Sequence, residues 1–190
     1  MEYLFLLLIS FLSNLFSAFS GGGAGIIQLP AILLLFEISF PVALATHKIS
    51  TVLLGLGASL KFFEKSKPSH RLLSEGIMIG LPAVIIGAYS ISFINENLAR
   101  QFLGLLILLV FFLSFTQSHN QDRTKPNPLI VYPLLFIIGF LNGSLSAGTG
   151  LLYTLMLTKL YGYTYTEAIG YTLLVVGLFY NLVGAIVLYL

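Results

Sequence analysis

The stretch that decides the fold reads FLSNLFSAFSGGGAGIIQLPAILLLF and covers residues 11–36. It belongs to a longer apolar run with no Asp, Glu, Lys or Arg between Glu2 and Glu37. A helix needs about 20 mostly apolar residues to cross the hydrocarbon of a membrane. Each Gly inside a helix costs about 1 kcal/mol relative to Ala, so three in succession disfavour one continuous helix. The run is therefore predicted to form two short helices, residues 3–19 and 22–36, that meet at a glycine break.

The composition indicates that lipid is the solvent for most of the chain. Of the 190 residues, 57% are hydrophobic and 8% are charged, whereas about a quarter of a soluble domain is charged. Four further stretches lack Asp, Glu, Lys and Arg: residues 76–95, 101–121, 126–158 and 168–190. These runs predict an all-α polytopic membrane protein with six to eight crossings. The remaining helices are expected at residues 41–60, 72–94, 98–116, 129–144, 149–161 and 166–190.

The first apolar run also has features of a signal peptide. Residues 3–16 resemble its apolar core, and Ala18-Phe19-Ser20 resembles a small-residue cleavage site. However, no Lys or Arg precedes this core, and a similar pattern recurs inside the chain, where no signal peptidase acts. A first membrane segment is therefore the favoured interpretation.

That recurrence has a constant spacing of 125 residues. Residues 11–35 align without gaps on residues 136–160, so that Gly23 falls on Gly148 and Gly25 on Gly150. Both halves show an apolar run, a break of small residues, a second apolar run, a short polar turn and a longer apolar run. Internal repeats of this kind are typical of transporters.

The placement of basic residues predicts an orientation. Lys and Arg cluster in residues 61–71 and 117–128, and two predicted crossings separate these loops, so both are expected to face the cytoplasm. An odd number of crossings then separates the starts of the two repeats, which makes the repeats inverted. We expect a first repeat at residues 1–117, a polar loop at 118–128 and a shortened second repeat at 129–190.

The motifs of the first repeat resemble the sulfite exporter TauE/SafE family. They are the cluster Gly21-Gly22-Gly23-Ala24-Gly25, then Pro30, then Pro41 followed by Ala43-Leu44-Ala45-Thr46-His47-Lys48. The stretch from Gly143 to Gly150, followed by Ala168, is similar to the second repeat of that family. The resemblance implies export of sulfite, sulfonates or related sulfur compounds across the bacterial inner membrane.

Two features depart from the family pattern. His47 stands where the family often has Asn. The chain also ends at Leu190, where the family usually continues for about two more membrane segments, so the second repeat lacks a counterpart of residues 72–116. A shortened member, a fragment, or a protein completed by association, including a homo-oligomer, are the alternatives.

The two breaks are predicted to bind a small anion. Glycines let backbone N–H groups point at a ligand, and a helix N-terminus favours negative charge. The predicted site residues are Ser20, Gly21, Gly22, Gly23, Gly25, Thr46, His47, Lys48, Ser144, Ser146, Gly148 and Thr149. Close helix packing is the alternative role for the glycines, snorkelling to the interface for Lys48, and a helix contact for His47. Gln28, Asn142 and Asn181 are expected to form interhelical hydrogen bonds.

Other functions have little support in the sequence. There is no cysteine and no histidine spacing typical of a metal site, so no cofactor or metal is expected. No basic stretch suggests nucleic acid, and residues 144–148 only approximate the nucleophile motif of hydrolases, so an enzyme is not predicted. The hypothesis is a secondary transporter for a small sulfur-containing anion. A passive channel, another small-solute carrier and a half-protein acting only in an assembly are the alternatives.

Overall fold

The computed structural model describes residues 2–64, 68–115, 123 and 125–190, and within these ranges every regular element is helical. The helices are α1 (Glu2–Ser20), α2 (Ala24–Leu35), α3 (Phe40–Phe63), α4 (His70–Ile91), α5 (Glu96–Ser114), α6 (Pro128–Ser144), α7 (Thr149–Tyr161), α8 (Tyr165–Thr172) and α9 (Asn181–Tyr189). A π-helical segment, Leu173–Tyr180, joins α8 to α9. The predicted all-α polytopic membrane fold is confirmed. The predicted loops 61–71 and 117–128 lie partly outside the described residues.

Five of the described helices are long and apolar enough to cross a membrane. They are Tyr3–Ser20, Phe40–Phe63, His70–Ile91, Glu96–Ser114 and the continuous element Tyr165–Tyr189. Two shorter apolar helices, α2 and α6, lie beside them. The last element was predicted as one plain helix over 166–190, and the π-helical turns in its middle are a difference that the apolar pattern did not predict.

Local sequence signals set the helix starts. The side chain of Asn95 accepts a hydrogen bond from the Asn97 amide at the start of α5, and Asn127 accepts one from Leu129 at the start of α6. Thr164 and Glu167 form a reciprocal capping box at the start of α8. Such side chains satisfy amides that have no partner within the helix.

Helix α3 packs along almost the whole element Tyr165–Tyr189, and the two run antiparallel. Residue numbers rise along one helix as they fall along the other in three contacting pairs: Lys48 and Gly184, Gly55 and Gly177, Phe62 and Gly170. At the middle pair, backbone meets backbone, because a Cβ on Gly55 would lie 2.6 Å from the Gly177 carbonyl carbon. Small residues permit such close approach between membrane helices.

The 125-residue offset recurs in the structure. Helices α2 and α7 begin at Ala24 and Thr149, and α3 and α8 begin at Phe40 and Tyr165. Helix α3 and its counterpart Tyr165–Tyr189 run in opposite directions, as expected if the repeats are inverted. The arrangement is therefore consistent with inverted repeats, in which α6 to α9 correspond to α1 to α3.

The basic segments meet at one end of the helix bundle. Arg71 pairs with Glu75 on α4, and Arg123 pairs with Glu167 on α8. Both arginines line a cavity of about 200 Å³. The chain before α4 and the chain before α6 therefore lie at the same end of the molecule.

The glycine contact between α3 and the π-helical segment generates a stability prediction. Gly55→Ala should destabilise the protein by about 1–3 kcal/mol, because the new methyl group meets backbone that cannot rotate away. Gly57→Ala is the matched control, since nothing lies within 4 Å of its Cβ position; better helix propensity should stabilise it by up to about 1 kcal/mol. Denaturant unfolding in mild detergent measures both. Equal effects of the two substitutions would contradict the packing described.

Candidate functional site

Both breaks are formed by left-handed backbone that favours glycine. In the first break the φ angles of Gly21, Gly22 and Gly23 are 71°, 133° and 113°. In the second, Gly148 has φ 73° and Ser146 has φ 61°. Among the residues that the structure describes, Ser146 is the one non-glycine residue with a positive φ, and its position is 125 residues after Gly21. Strain of this kind is often retained at functional sites.

The two breaks contact each other reciprocally. A Cβ on Gly22 would lie 2.6 Å from the Gly150 backbone, and a Cβ on Gly25 would lie 3.0 Å from the Cα of Ala147. Because Gly22 corresponds to Ala147 and Gly25 to Gly150, the two contacts exchange under the 125-residue offset. Such mutual contacts are what a two-fold relation produces. Helices α2 and α7 consequently begin next to each other, where the two breaks are in contact. The positive ends of their two helix dipoles are therefore concentrated there.

A small cavity of about 30 Å³, termed here the central cavity, lies at this crossing. Its lining residues are Ser17, Gly22, Gly23, Ala24, Gly25, His47, Thr51, Asn142, Ser146, Thr149, Gly150, Thr172, Leu173, Val176 and Gly177. Five pairs among them are related by the 125-residue offset: Ser17 and Asn142, Ala24 and Thr149, Gly25 and Gly150, His47 and Thr172, Thr51 and Val176. Both repeats therefore contribute equivalent positions to one cavity.

Lys48 is fully buried beside the central cavity. Its Nζ donates to the backbone oxygen of Asn142 at 2.6 Å, to Asn142 Oδ1 at 3.2 Å, to Asn181 Oδ1 at 3.4 Å and to Ser146 Oγ at 3.5 Å. All of these acceptors are uncharged, and no Asp or Glu in the described part of the chain forms an ion pair with Lys48. The ammonium points inward rather than snorkelling to an interface.

We call Lys48, Asn142, Ser146 and Asn181 the Lys48 cluster. Asn142 and Ser146 line the central cavity, so the ammonium lies directly behind its wall. The Asn142 amide also donates to Thr149 Oγ1 at 3.0 Å, which ties the cluster to the start of α7. The cluster joins α3 of the first repeat to α6, α9 and the break of the second. Asn142 and Asn181 do form interhelical hydrogen bonds, as expected.

His47 is held by a second polar chain. Its Nδ1 lies 2.8 Å from Gln28 Oε1, and the Gln28 Nε2 donates to Ser10 Oγ at 2.8 Å. His47 is 2% exposed as a residue and lines the central cavity. Its other nitrogen, Nε2, lies beside Gly25, where an added Cβ would come within 2.9 Å of it.

The structure brings together seven of the twelve predicted site residues. Six line the central cavity: Gly22, Gly23, Gly25, His47, Ser146 and Thr149. The seventh, Lys48, lies behind the wall that Asn142 and Ser146 form. The local sequence pattern of the breaks and of the opening of α3 was therefore sufficient to find them.

The other five predicted residues lie elsewhere. Thr46 is exposed and donates to the Val42 carbonyl of its own helix, and the Ser144 hydroxyl likewise donates to Phe140. Ser20 turns its hydroxyl to the Gly22 carbonyl. Gly21 packs against Thr154 and Ile169, and Gly148 packs against Val110 of α5. For Gly21 and Gly148 this is the close packing that the sequence offered as the alternative role.

Several cavity residues were absent from the predicted site, including Ser17, Thr51 and Thr172. The 125-residue offset contained a signal for one of them, because Thr172 corresponds to the predicted site residue His47. Asn181 lies next to Lys48 because of the antiparallel register in which α3 packs against Tyr165–Tyr189. The local sequence around Asn181 does not specify this register. Within residues 2–64, 68–115, 123 and 125–190, no group of three His, Cys, Asp or Glu side chains is arranged to hold a metal.

Comparison with known proteins gives the family. Residues 6–190 match the family described as Sulfite exporter TauE/SafE. The chain belongs to the sulfite exporter TauE/SafE family. This is a family of membrane transporters and not of enzymes.

One relative of this TauE/SafE chain is a "Probable membrane transporter protein" of Haemophilus influenzae (strain ATCC 51907 / DSM 11121 / KW20 / Rd). The two are 27% identical over 164 residues, which is 84% of this chain and 64% of the relative. The chain therefore spans less than two thirds of the length of that relative. No solved structure matches the chain.

The crossing of the breaks generates a prediction that separates backbone strain from packing. Gly22→Ala and Gly23→Ala should each cost about 1–3 kcal/mol, since both φ angles are disfavoured for an L side chain. Gly22→Ala should cost a further 1–3 kcal/mol or so, because its Cβ meets the Gly150 backbone, whereas the atom nearest a Gly23 Cβ is 3.5 Å away. Thermal unfolding of the purified variants measures the difference, and a Gly23 variant as unstable as the Gly22 variant would refute the crossing contact.

Proposed function

We propose that the protein is a secondary transporter that moves a small sulfur-containing anion, such as sulfite or a sulfonate, across the bacterial inner membrane. The observation that carries the proposal is the buried Lys48 ammonium. Within the described part of the chain it has only uncharged oxygen partners, and it lies behind the wall of the cavity at which two helix N-termini meet. The anion would bind in the central cavity between the two breaks.

Electrostatics supports an anionic substrate. A Lys at membrane depth costs several kcal/mol unless it is hydrated or paired, and Lys48 has no carboxylate partner among the residues described. The N-termini of α2 and α7 add partial positive charge at the same place. No Asp or Glu lines the described wall of the central cavity to offset this charge. A bound anion would supply the missing negative charge.

The small size of the cavity supports a transporter that changes conformation rather than a protein with a permanently open binding site. A water needs about 10–15 Å³ of such space, so the cavity of about 30 Å³ holds roughly two waters, and a sulfur oxyanion is larger. Binding therefore requires the two repeats to separate slightly. Inverted repeats allow this by rocking against each other around a shared site, which is the basis of alternating access.

The family supports the substrate class and the basic residues support the orientation. The family is described by sulfite export, and the relative by membrane transport. Arg71, Arg123 and Lys125 lie around one cavity at one end of the bundle. By the tendency of basic loops to stay inside, this end faces the cytoplasm in our proposal.

Flux measurements on reconstituted protein test the function. The full 190-residue chain is placed in proteoliposomes, and entry of labelled sulfite is followed with and without a pH gradient. Lys48→Met should reduce the rate at least about tenfold, since hydrogen bonds to a charged group are worth about 1.5–3 kcal/mol. Lys61→Met is the matched control, because Lys61 is exposed and pairs with Glu64 on the surface; its rate should be unchanged.

Three results would contradict the proposal. Folded, inserted protein that moves no sulfur anion would remove the function. If sulfite only equilibrates down its own concentration gradient and never accumulates, whichever ion gradient is applied, the result would favour a passive channel. Equal rates for Lys48→Met and Lys61→Met would separate the function from the Lys48 cluster.

A further inference from the structure

We infer that the substrate is an anion that carries one O–H group, as hydrogen sulfite does, and that the Nε2 atom of His47 accepts the hydrogen bond from this group. The inference rests on the proposed function and narrows its substrate class. It excludes fully deprotonated oxyanions and sulfonates, which have no O–H to donate, as preferred substrates.

The hydrogen bonds around His47 assign its tautomer. Gln28 donates its amide N–H to Ser10, so its amide oxygen faces His47 at 2.8 Å. The facing atom, Nδ1 of His47, must then be the donor and carries the ring proton. In a neutral imidazole the second nitrogen is an acceptor. The side chains of Ser10 on α1 and Gln28 on α2 thus fix the tautomer of His47 in which Nε2 has no proton and carries a lone pair.

This lone pair is available to a ligand. Among the residues that the structure describes, the ring of His47 makes its hydrogen bond through Nδ1 alone. His47 is buried, and it borders the central cavity. Gly25 lies next to Nε2, and any side chain there would come within 2.9 Å of it. Because Gly25 has no side chain, Nε2 packs against the start of α2 without a clash, in a ring that borders the central cavity.

The remaining groups around the cavity are suited to oxygen atoms that accept. The hydroxyls of Ser146 and Thr149 and the amide of Asn142 line the wall, with Lys48 behind them. They donate within the protein to Asn181 Oδ1, to the Ser146 carbonyl and to Thr149 Oγ1, so an anion would take over these hydrogen bonds. His47 is the only titratable side chain in the described lining; α1, α2, α6, α7 and the π-helical segment contribute none. An anion with one O–H therefore meets donors on one side and an acceptor on the other.

Charge alone does not select this substrate. Lys48 and the partial charges of two helix N-termini together can balance either a monoanion or a dianion. The His47 lone pair does discriminate, because an anionic oxygen without a proton placed against it would be repelled and would leave a buried acceptor unpaired. A site that hydrogen-bonds an O–H rejects analogues that lack it more strongly than a purely apolar pocket rejects a change of size.

The test uses two competitors of equal charge. Exchange of labelled sulfite by the full chain in proteoliposomes is measured at equal pH on both faces, which removes any effect of a proton gradient. Methanesulfonate, a monoanion without O–H, should compete at least about tenfold more weakly than unlabelled hydrogen sulfite. The exchange rate should also fall as rising pH converts hydrogen sulfite to sulfite.

Variants then locate the effect. His47→Leu should bring the two competitors within about threefold of each other, whereas His70→Leu, which removes an exposed imidazole at the start of α4, should keep the wild-type ratio. A ratio of affinities does not depend on the fraction of protein that folds. If His47→Leu yields no folded protein, the wild-type ratio and its pH series decide the proposal by themselves.

The outcomes are distinct for the two proposals. Sulfite exchange that methanesulfonate inhibits as well as hydrogen sulfite does, or that rises as the dianion accumulates, would overturn the role of His47 and leave the proposed function standing. The same holds if His47→Leu keeps the wild-type ratio. No exchange of any sulfur anion by folded protein would overturn the proposed function, and this inference with it.

Discussion

The fold depends on a contact between two stretches of backbone, one in each break. Gly22 meets Gly150 with no room for a Cβ between them, and Gly25 meets Ala147 in the equivalent way. Because the atoms in contact are backbone atoms, no change of rotamer can relieve a larger residue there. The contact sets the N-termini of α2 and α7 at one point inside the bundle. It thereby fixes where the following helices of each repeat start, and it makes the central cavity a joint product of both halves.

The Lys48 cluster depends on this crossing, and burying its ammonium there costs free energy. A buried ammonium loses its hydration, and hydrogen bonds to amide and hydroxyl oxygens replace only part of it. A carboxylate in place of Asn142 or Asn181 would pair with the ammonium, but it would also neutralise the positive charge beside the cavity. Uncharged acceptors leave the positive charge of Lys48 uncompensated. They hold the side chain in position while its charge remains available to a ligand, which accords with the proposed role in binding an anion that must later leave.

Much of the fold follows from sequence because its signals are local or periodic. The glycine breaks, the long apolar runs and the 125-residue offset predicted the helices, and the same signals located Gly22, Gly25, His47 and Lys48 near the cavity. Local signals say less where a helix face or a register decides which residues meet. Thr46 precedes His47 by one residue, which turns its side chain by about 100° to the exposed side. Asn181 joins Lys48 only through the antiparallel register of α3 and Tyr165–Tyr189, which depends on distant glycine contacts.

The chemistry of the cavity is less symmetric than its scaffold. The offset pairs small residues with small residues at the crossing, yet it pairs Lys48 with Leu173, His47 with Thr172 and Gln28 with Tyr153. The ammonium and the imidazole therefore belong to the first repeat, and all the acceptors described for the ammonium belong to the second. Any rocking of one repeat against the other must stretch or exchange the hydrogen bonds between Lys48 and Asn142, Ser146 and Asn181. An anion that takes over those hydrogen bonds would lower the cost of that movement, so the same cluster would couple occupancy of the site to the motion of the repeats.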